Sequence, residues 1–125
     1  MGCALLVVCL SGCNRQDAQF QEYKESFESL GSTTAAIANA WLAGEVSGTY
    51  AATALEKTLF LVEQQRAAVA QTPKSLHDPR GAYLSQAGER LSRVIADLSA
   101  DVSDADGASV RRHVAAIPIA PPRQP

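Results

Sequence analysis

The fold is decided most clearly by residues 79–102, which read PRGAYLSQAGERLSRVIADLSADV. Apolar side chains recur there at spacings of three and four, which place them on one face of an α-helix. Asp78 and Pro79 begin the pattern as a helix-capping residue and a proline suited to the first helical position. The segment therefore predicts a long amphipathic helix that must bury one face. Its predicted buried stripe consists of Tyr83, Leu84, Ala87, Leu91, Val94, Ile95, Leu98 and Val102.

Residues 17–43 predict a second long helix, with apolar residues again at spacings of three and four. Gly44 follows as a stop, because glycine readily adopts the left-handed conformation that ends many helices. The residues on the predicted face are Phe20, Tyr23, Phe27, Leu30, Thr34, Ile37 and Trp41.

Residues 48–72 predict a third long helix, which Ser47 caps and which must end before Pro73. Two adjacent apolar stripes run along this helix, and such a wide apolar face predicts contact with two neighbours. Phe60 lies almost opposite the main stripe and is the one large apolar residue on that side. The main stripe is Ala51, Leu55, Leu59, Val62 and Val69, and the second is Tyr50, Ala54, Leu61 and Ala68.

Together these segments predict an all-α fold, a small antiparallel up-down bundle of three long helices plus a short fourth. Long amphipathic helices with short connections bury their stripes by packing antiparallel. Residues 108–117 predict the short fourth helix, which we expect to cover the second stripe of the helix at 48–72. Four prolines in residues 118–125 forbid further helix and predict an extended Pro-rich tail.

The amino-terminal residues predict a leader segment. A short apolar run, Ala4 to Leu10, is followed by Ser11, Gly12 and Cys13. The run is too short to span a bilayer, which takes ~20 apolar residues, and it has the length of a signal-peptide core. No Lys or Arg precedes it, which favours a true start upstream of Met1.

Residues Leu10-Ser11-Gly12-Cys13 resemble the lipobox of bacterial lipoproteins, which is a leucine, two small residues and the modified cysteine. The resemblance implies cleavage after residue 12 and acyl chains on the sulfur and amino group of Cys13. Membrane lipid would then hold the chain without a transmembrane helix, since two or more acyl chains anchor stably. Asn14 is not the aspartate that the family associates with inner-membrane retention. The resemblance therefore implies the outer membrane, facing the periplasm.

These observations predict four segments: a signal peptide at 1–12, a lipidated tether at 13–16, a helical bundle domain at 17–117 and the tail at 118–125. The net charge of −2 gives no basic surface that would favour a nucleic-acid partner. Cleavage would remove Cys3 and Cys9 and lipidation would consume Cys13, so the mature domain would contain no disulfide.

Candidate catalytic and metal-binding residues are few. Ser75, His77 and Asp78 could supply hydrolytic groups, but residues so close in sequence rarely form a relay, and a capping role explains Asp78 better. Asp101, Asp104 and Asp106 partly match a calcium loop. The loop's last ligand would be His113 rather than Glu, so a helix-capping turn is favoured. We therefore expect no enzymatic activity and no cofactor.

The leading functional hypothesis is a non-catalytic envelope protein that binds another protein through a helical face. Tyr50, Phe60 and Leu61 are the candidate contact residues, although an isolated exposed aromatic is also common on ordinary surfaces. In lipobox, size and helical content the chain resembles pilotins, small lipoproteins that escort secretin subunits to the outer membrane. The alternative is a carrier of a small apolar ligand, with a cavity around Trp41 and Tyr23. An ordinary packed core explains those two aromatics as well.

Overall fold

The structure is a computed structural model that describes the backbone of residues 3–72 and 78–117. Within these ranges it describes the side chain of residue 15 and all side chains from residue 17 onward. Its elements within these residues are four α-helices and no strand. They are α1 (Cys3–Leu42), α2 (Gly48–Gln71), α3 (Pro79–Ser103) and α4 (Gly107–Ala115). The predicted all-α class is confirmed.

The three long helices form an up-down-up bundle. The hydroxyl of Tyr23 in α1 lies 3.4 Å from the hydroxyl of Thr72 at the end of α2, so these two helices run antiparallel. At the same end of the bundle, Arg80 in the first turn of α3 pairs with Asp17 of α1 at 2.5 Å. Helix α3 therefore runs parallel to α1 and antiparallel to α2, as an up-down bundle requires.

The core runs the length of the bundle. Thr34 and Thr58 are buried in it, and each hydroxyl donates to the backbone carbonyl four residues earlier, at 2.8 Å. No buried side-chain N or O in the described part of the chain lacks a hydrogen-bond partner. The apolar core residues are Phe20, Phe27, Ala38, Ala51, Leu55, Val62, Val69, Leu84, Leu91, Val94, Ile95, Leu98, Val102, Val110 and Ile117.

The predicted caps at Ser47 and Asp78 and the predicted stop at Gly44 are confirmed. The Ser47 hydroxyl accepts the backbone N–H of Tyr50 at 3.1 Å, and the Asp78 carboxylate accepts that of Arg80 at 2.9 Å. Gly44 ends α1 with φ +75°. Its N–H donates to the Trp41 carbonyl and that of Glu45 to the Ala40 carbonyl, the paired bonds of a Schellman motif.

Two features of the chain's ends bear on the predicted segments. Helix α1 begins at Cys3 rather than at residue 17, and residues 3–16, which contain no proline, continue the same helix. The predicted Pro-rich tail lies outside the described residues. None of the described helices combines the length and the hydropathy needed to cross a membrane.

The predicted position of the short helix is wrong. Helix α4 packs against α3 and α1 and not against α2. A short turn after α3 folds α4 back along α3, and the neighbour on that side is α1, whose Leu42 lies beside Gly107. The second stripe of α2 is therefore left without a covering helix.

One predicted core residue is also placed differently. Tyr83 was expected in the buried stripe of α3, but 56% of its surface is exposed. It lies at the edge of the stripe in the second turn of α3, where its ring borders a groove between α1 and α3.

Candidate functional site

The outer face of α2 carries the predicted contact residues, and all three are exposed. Phe60 is 63% exposed, Tyr50 61% and Leu61 47%. The solvent-facing position predicted for Phe60 is confirmed. Since α2 contacts only α1 and α3 among the described helices, its remaining side has no helical neighbour.

The structure brings Phe60 and Leu61 together, and Tyr50 lies apart from them. Phe60 and Leu61 line a shallow depression of about 430 Å³ with Glu56 and Lys57. Tyr50 precedes Phe60 by ten residues, which is about 15 Å along a helix. It is therefore a separate contact point on the same outer face.

Leu61 joins this depression to the seam between α1 and α2. A second depression, of about 220 Å³, is lined by Leu61 and Gln65 of α2 and by Ser26, Ser29 and Leu30 of α1. We call the continuous surface formed by Phe60, Leu61 and Leu30 the α2 face. Charged and polar groups border it, so its apolar surface has a polar rim of the kind that surrounds protein interfaces.

A second surface, which the sequence did not reveal, lies at the opposite side of the bundle. We call it the α1–α3 groove. Its volume is about 290 Å³, and its lining residues are Asp17, Phe20, Gln21, Lys24, Arg80, Tyr83 and Leu84.

Arg80 organises the α1–α3 groove. Its guanidinium carbon lies 4.5 Å from the centre of the Phe20 ring, within the range of a cation–π contact. Hydrogen bonds to Asp78, and then to Asp17, raise the pKa of Arg80 above its usual value. Arg80 is thus held in place by two carboxylates and one aromatic ring, and it fixes one wall of the groove.

A polar cluster links α2 to α3 near the middle of the bundle. The Ser92 hydroxyl donates to the Glu63 carboxylate at 2.6 Å, and Arg66 pairs with the same carboxylate at 2.9 Å. The hydrogen bond from Ser92, aided by Arg66 and opposed by desolvation, lowers the pKa of Glu63. Ser92 of α3 and Arg66 of α2 both bind the carboxylate of Glu63, so this arrangement links the two helices.

The one described histidine belongs to a link between α3 and α4. The Asp101 carboxylate accepts the Ser109 hydroxyl at 2.9 Å and contacts Nδ1 of His113 at 2.5 Å. Nε2 of His113 lies 3.8 Å from Asp97. Ser109 and His113 both bind the Asp101 carboxylate, and no hydrogen bond joins Ser109 to His113. A serine nucleophile needs the histidine hydrogen-bonded to the serine and the carboxylate on the far side of the histidine, and this arrangement is not present here.

The acidic turn is used for capping. Asp106 accepts the backbone N–H of Ser109 at 3.1 Å and caps α4, so the capping role favoured from the sequence is confirmed. No group of three or more His, Cys, Asp or Glu among the described residues is arranged to hold a metal ion. Ser75 and His77 lie outside the described residues.

The aromatic residues proposed for a ligand cavity belong to the margin of the core. Tyr23 and Trp41 are half-buried and pack against it. They are 18 positions apart on α1, which is about 27 Å along a helix, so they do not line one small cavity. The carrier interpretation gains no support from their positions.

Comparisons with known proteins add no identification. The chain matches no protein-family model, no curated protein and no solved structure at a significant level of similarity.

Proposed function

We propose that the chain is a lipid-anchored cell-envelope adaptor, which binds a helical segment of another envelope protein through the α2 face. The anchor rests on the lipobox-like residues that end at Cys13. The binding surface rests on the exposure of Phe60 and Leu61 on a helix side that no described helix covers. A pilotin-like helper is the form of adaptor that this size and helical content resemble.

The observation that carries the proposal is the exposure of two adjacent large apolar residues, Phe60 and Leu61. An aromatic side chain offers ~150–250 Å² of contact surface, so Phe60 alone exposes roughly 100–150 Å². Such residues in a shallow depression are the usual anchor points for a partner, because a few buried aromatics carry most of the binding energy. The bordering Glu56 and Lys57 supply the polar rim.

The size of the α2 face indicates the kind of partner. A stable protein–protein interface buries about 800 Å² on each side, several times the area that Phe60 exposes. The face therefore suits a single amphipathic helix, whose apolar side chains lie in a groove at spacings of three and four. Seating that helix along the seam between α1 and α2 would bring Leu30 and Leu61 into the same contact.

The position of the α2 face along the bundle is compatible with the proposed anchor. Leu61 lines one depression with Leu30 of α1, so the α2 face stands near residue 30 of that helix. That level is 17 residues beyond Cys13, or about 25 Å of helix. An acylated Cys13 would thus leave the binding surface well clear of the bilayer.

The test is a comparison of partners recovered with the acylated protein from its native membranes. Wild type, the double variant Phe60→Ser with Leu61→Ser, and the control Tyr83→Ser are purified in parallel. Tyr83 is exposed to a similar degree but lies in the α1–α3 groove. We expect a stoichiometric partner with wild type and with the control, and its loss with the double variant. Equal recovery from all three proteins, or no stoichiometric partner with wild type, would contradict the proposal.

A further inference from the structure

We propose that the outer side of α2 pairs antiparallel with the same helix of a second copy of this chain, across a twofold axis at the level of Thr58 and Leu59. This inference rests on the proposed function, because it takes the α2 face as a binding surface and names its occupant when the other envelope protein is absent. Twofold homodimers are the commonest soluble oligomers, and in them one self-complementary patch meets itself.

The exposed residues of α2 follow the spacing of a helix pair. From the first turn of α2 to its last residue, exposed side chains recur at alternating spacings of three and four, and we call this set the outer stripe. Two helices whose contact residues repeat in this way pack side by side, with each side chain in a hole between four others. The outer stripe consists of Tyr50, Thr53, Lys57, Phe60, Gln64, Ala67 and Gln71.

Composition distinguishes the outer stripe from an ordinary solvent-facing side of a helix. Its one charged residue is Lys57, and its two aromatic residues, Tyr50 and Phe60, are 61% and 63% exposed. The centres of protein interfaces are depleted in charge and enriched in aromatic residues in the same way. The outer side of α3, by contrast, carries three exposed charged residues at spacings of four, which are Glu89, Arg93 and Asp97.

Lys57 determines the direction of pairing. In a parallel pair each stripe residue meets its own copy, so the two Lys57 ammonium groups would face each other. In an antiparallel pair Lys57 of one copy lies level with Phe60 of the other, where the ammonium group can lie over the ring and the methylene stem along Leu61. The two Lys57 residues are then offset by three residues, about 4.5 Å of helix. A single lysine at a contact position specifies the register of a helix pair in this manner.

The same register places the second aromatic residue against small side chains. Counting outward from the level of Lys57 and Phe60, Tyr50 of one copy lies level with Ala67 of the other. Ala67 is exposed and the neighbouring Ala68 is half-buried, and their methyl groups leave room for a tyrosine ring. The twofold axis repeats this contact at the other end of the pair. Both exposed aromatic residues of each copy are therefore covered in a single arrangement.

The area of this contact indicates a weak pair. The four exposed aromatic side chains, two from each copy, offer roughly 400–600 Å² in total. The shorter side chains between them bring the contact near the lower limit of specific interfaces, about 1,000–1,200 Å² in total. A dissociation constant in the micromolar range is expected for such a contact. A helix of another protein that buries more surface would therefore displace the second copy from the α2 face.

The test measures the mass of the purified full chain by analytical ultracentrifugation from about 10 μM to about 500 μM, a range that includes weak micromolar pairing. All proteins carry Cys3→Ser, Cys9→Ser and Cys13→Ser, so that neither acyl chains nor disulfides join two copies. Thr53 of one copy lies level with Gln64 of the other in the proposed pair. Two double variants use these exposed positions: Thr53→Glu with Gln64→Lys, and Thr53→Lys with Gln64→Lys.

We expect wild type to be in equilibrium between monomer and dimer, and the variant with opposite charges to pair at least as tightly. The variant with two lysines should have a dissociation constant about tenfold higher, because like charges then meet at both ends of the pair. Within one copy the two positions are 11 residues apart, about 16 Å of helix, so their charges do not pair inside a single chain. A monomer at every concentration, or equal dissociation constants in the two double variants, would overturn the proposal.

Failure of this proposal is distinguishable from failure of the proposed function, which is tested by recovery of another protein from native membranes. A chain that is monomeric and still recovers a stoichiometric partner contradicts self-pairing alone. A chain that forms the antiparallel dimer and recovers no other protein contradicts the adaptor alone.

Discussion

Gly88 of α3 lies against the ring of Phe27 of α1, so closely that a Cβ atom at position 88 would fall 3.0 Å from the ring's Cζ. The same Cβ would fall 2.8 Å from Cγ of Arg66 in α2. The absence of a side chain at this point therefore lets all three long helices approach one another. Such a contact fixes the packing of the bundle in the middle of its core.

The first prediction is that Gly88→Ala destabilises the protein. Alanine favours helix by ~1 kcal/mol over glycine. The added methyl group overpacks the core, which typically costs about 1–3 kcal/mol. We expect a net loss of roughly 1 kcal/mol in urea unfolding, as the difference of these two effects. In a Phe27→Leu background the same substitution should become neutral or stabilising. Stabilisation by Gly88→Ala in the wild-type background would show that the three helices are not closely packed there.

A second prediction concerns the left-handed residues that follow α1 and α3. Gly44 has φ +75° and Ala105 has φ +54°, and each lies in a pair of Schellman hydrogen bonds. A left-handed conformation costs a residue with a Cβ ~1–2 kcal/mol, partly offset by the lower entropy of its unfolded chain. We expect Ala105→Gly to stabilise the protein and Gly44→Ala to destabilise it, each by roughly 1 kcal/mol. Thermal unfolding measures the melting temperature of each variant, which should rise for Ala105→Gly and fall for Gly44→Ala. A shift of both melting temperatures in the same direction would contradict the explanation.

A third prediction follows from the lowered pKa of Glu63. A carboxyl group with a depressed pKa in the folded state stabilises the protein above its unfolded pKa, and this contribution is lost as the pH falls through the lower folded value. The Ser92 hydrogen bond is the main cause of the shift. Ser92→Ala should therefore raise the pKa of Glu63 toward its ordinary value of 4.5 and reduce the loss of stability on acidification below that pH.

The measurement is an NMR titration of the Glu63 side-chain carboxyl carbon. Ser85→Ala serves as the control, because Ser85 is an exposed serine of the same helix seven residues away. The control should leave the Glu63 titration unchanged. If the Glu63 titration is the same in Ser92→Ala and wild type, Ser92 is not the cause of the shift.

A fourth prediction concerns the attachment of α4. Asp101 accepts the hydroxyl of Ser109 and contacts the ring of His113. Asp101→Ala leaves both groups without this partner, and a lost hydrogen bond to a charged group costs ~1.5–3 kcal/mol. We expect faster amide hydrogen exchange in residues 107–115, while the exchange of α2 stays unchanged. Asp104→Ala, on an exposed residue of the same turn, is the control. Equal effects of the two substitutions would show that Asp101 does not hold α4.

The local features of the fold were predictable from the sequence. Capping by Ser47 and Asp78 and the stop at Gly44 follow from the chemistry of single residues, and each was placed correctly. The periodicity of α3 identified Leu91, Ile95 and Leu98 as core residues. These predictions succeed because they depend on neighbours within one or two helical turns.

The choice of neighbours was not predictable in the same way. Val110 of α4 and Ile117 just beyond its end are apolar, which indicates that this segment must be buried but not whether it packs against α1 or α2. The α1–α3 groove could not be predicted for the same reason, because Phe20 and Arg80 are 60 residues apart and the sequence does not show that their helices are neighbours. The spacing of Ser109 and His113, four residues apart on one side of α4, was the available signal for the link to Asp101.

The central claim, attachment of the bundle to a membrane by lipid on one cysteine, is tested most directly by mass spectrometry of the protein isolated from its native host. The lipobox-like residues predict a mature amino terminus at Cys13, with the mass of a diacylglycerol on its sulfur and of a further acyl chain on its amino group. An intact amino terminus that includes residues 1–12, with a free thiol at Cys13, would contradict it.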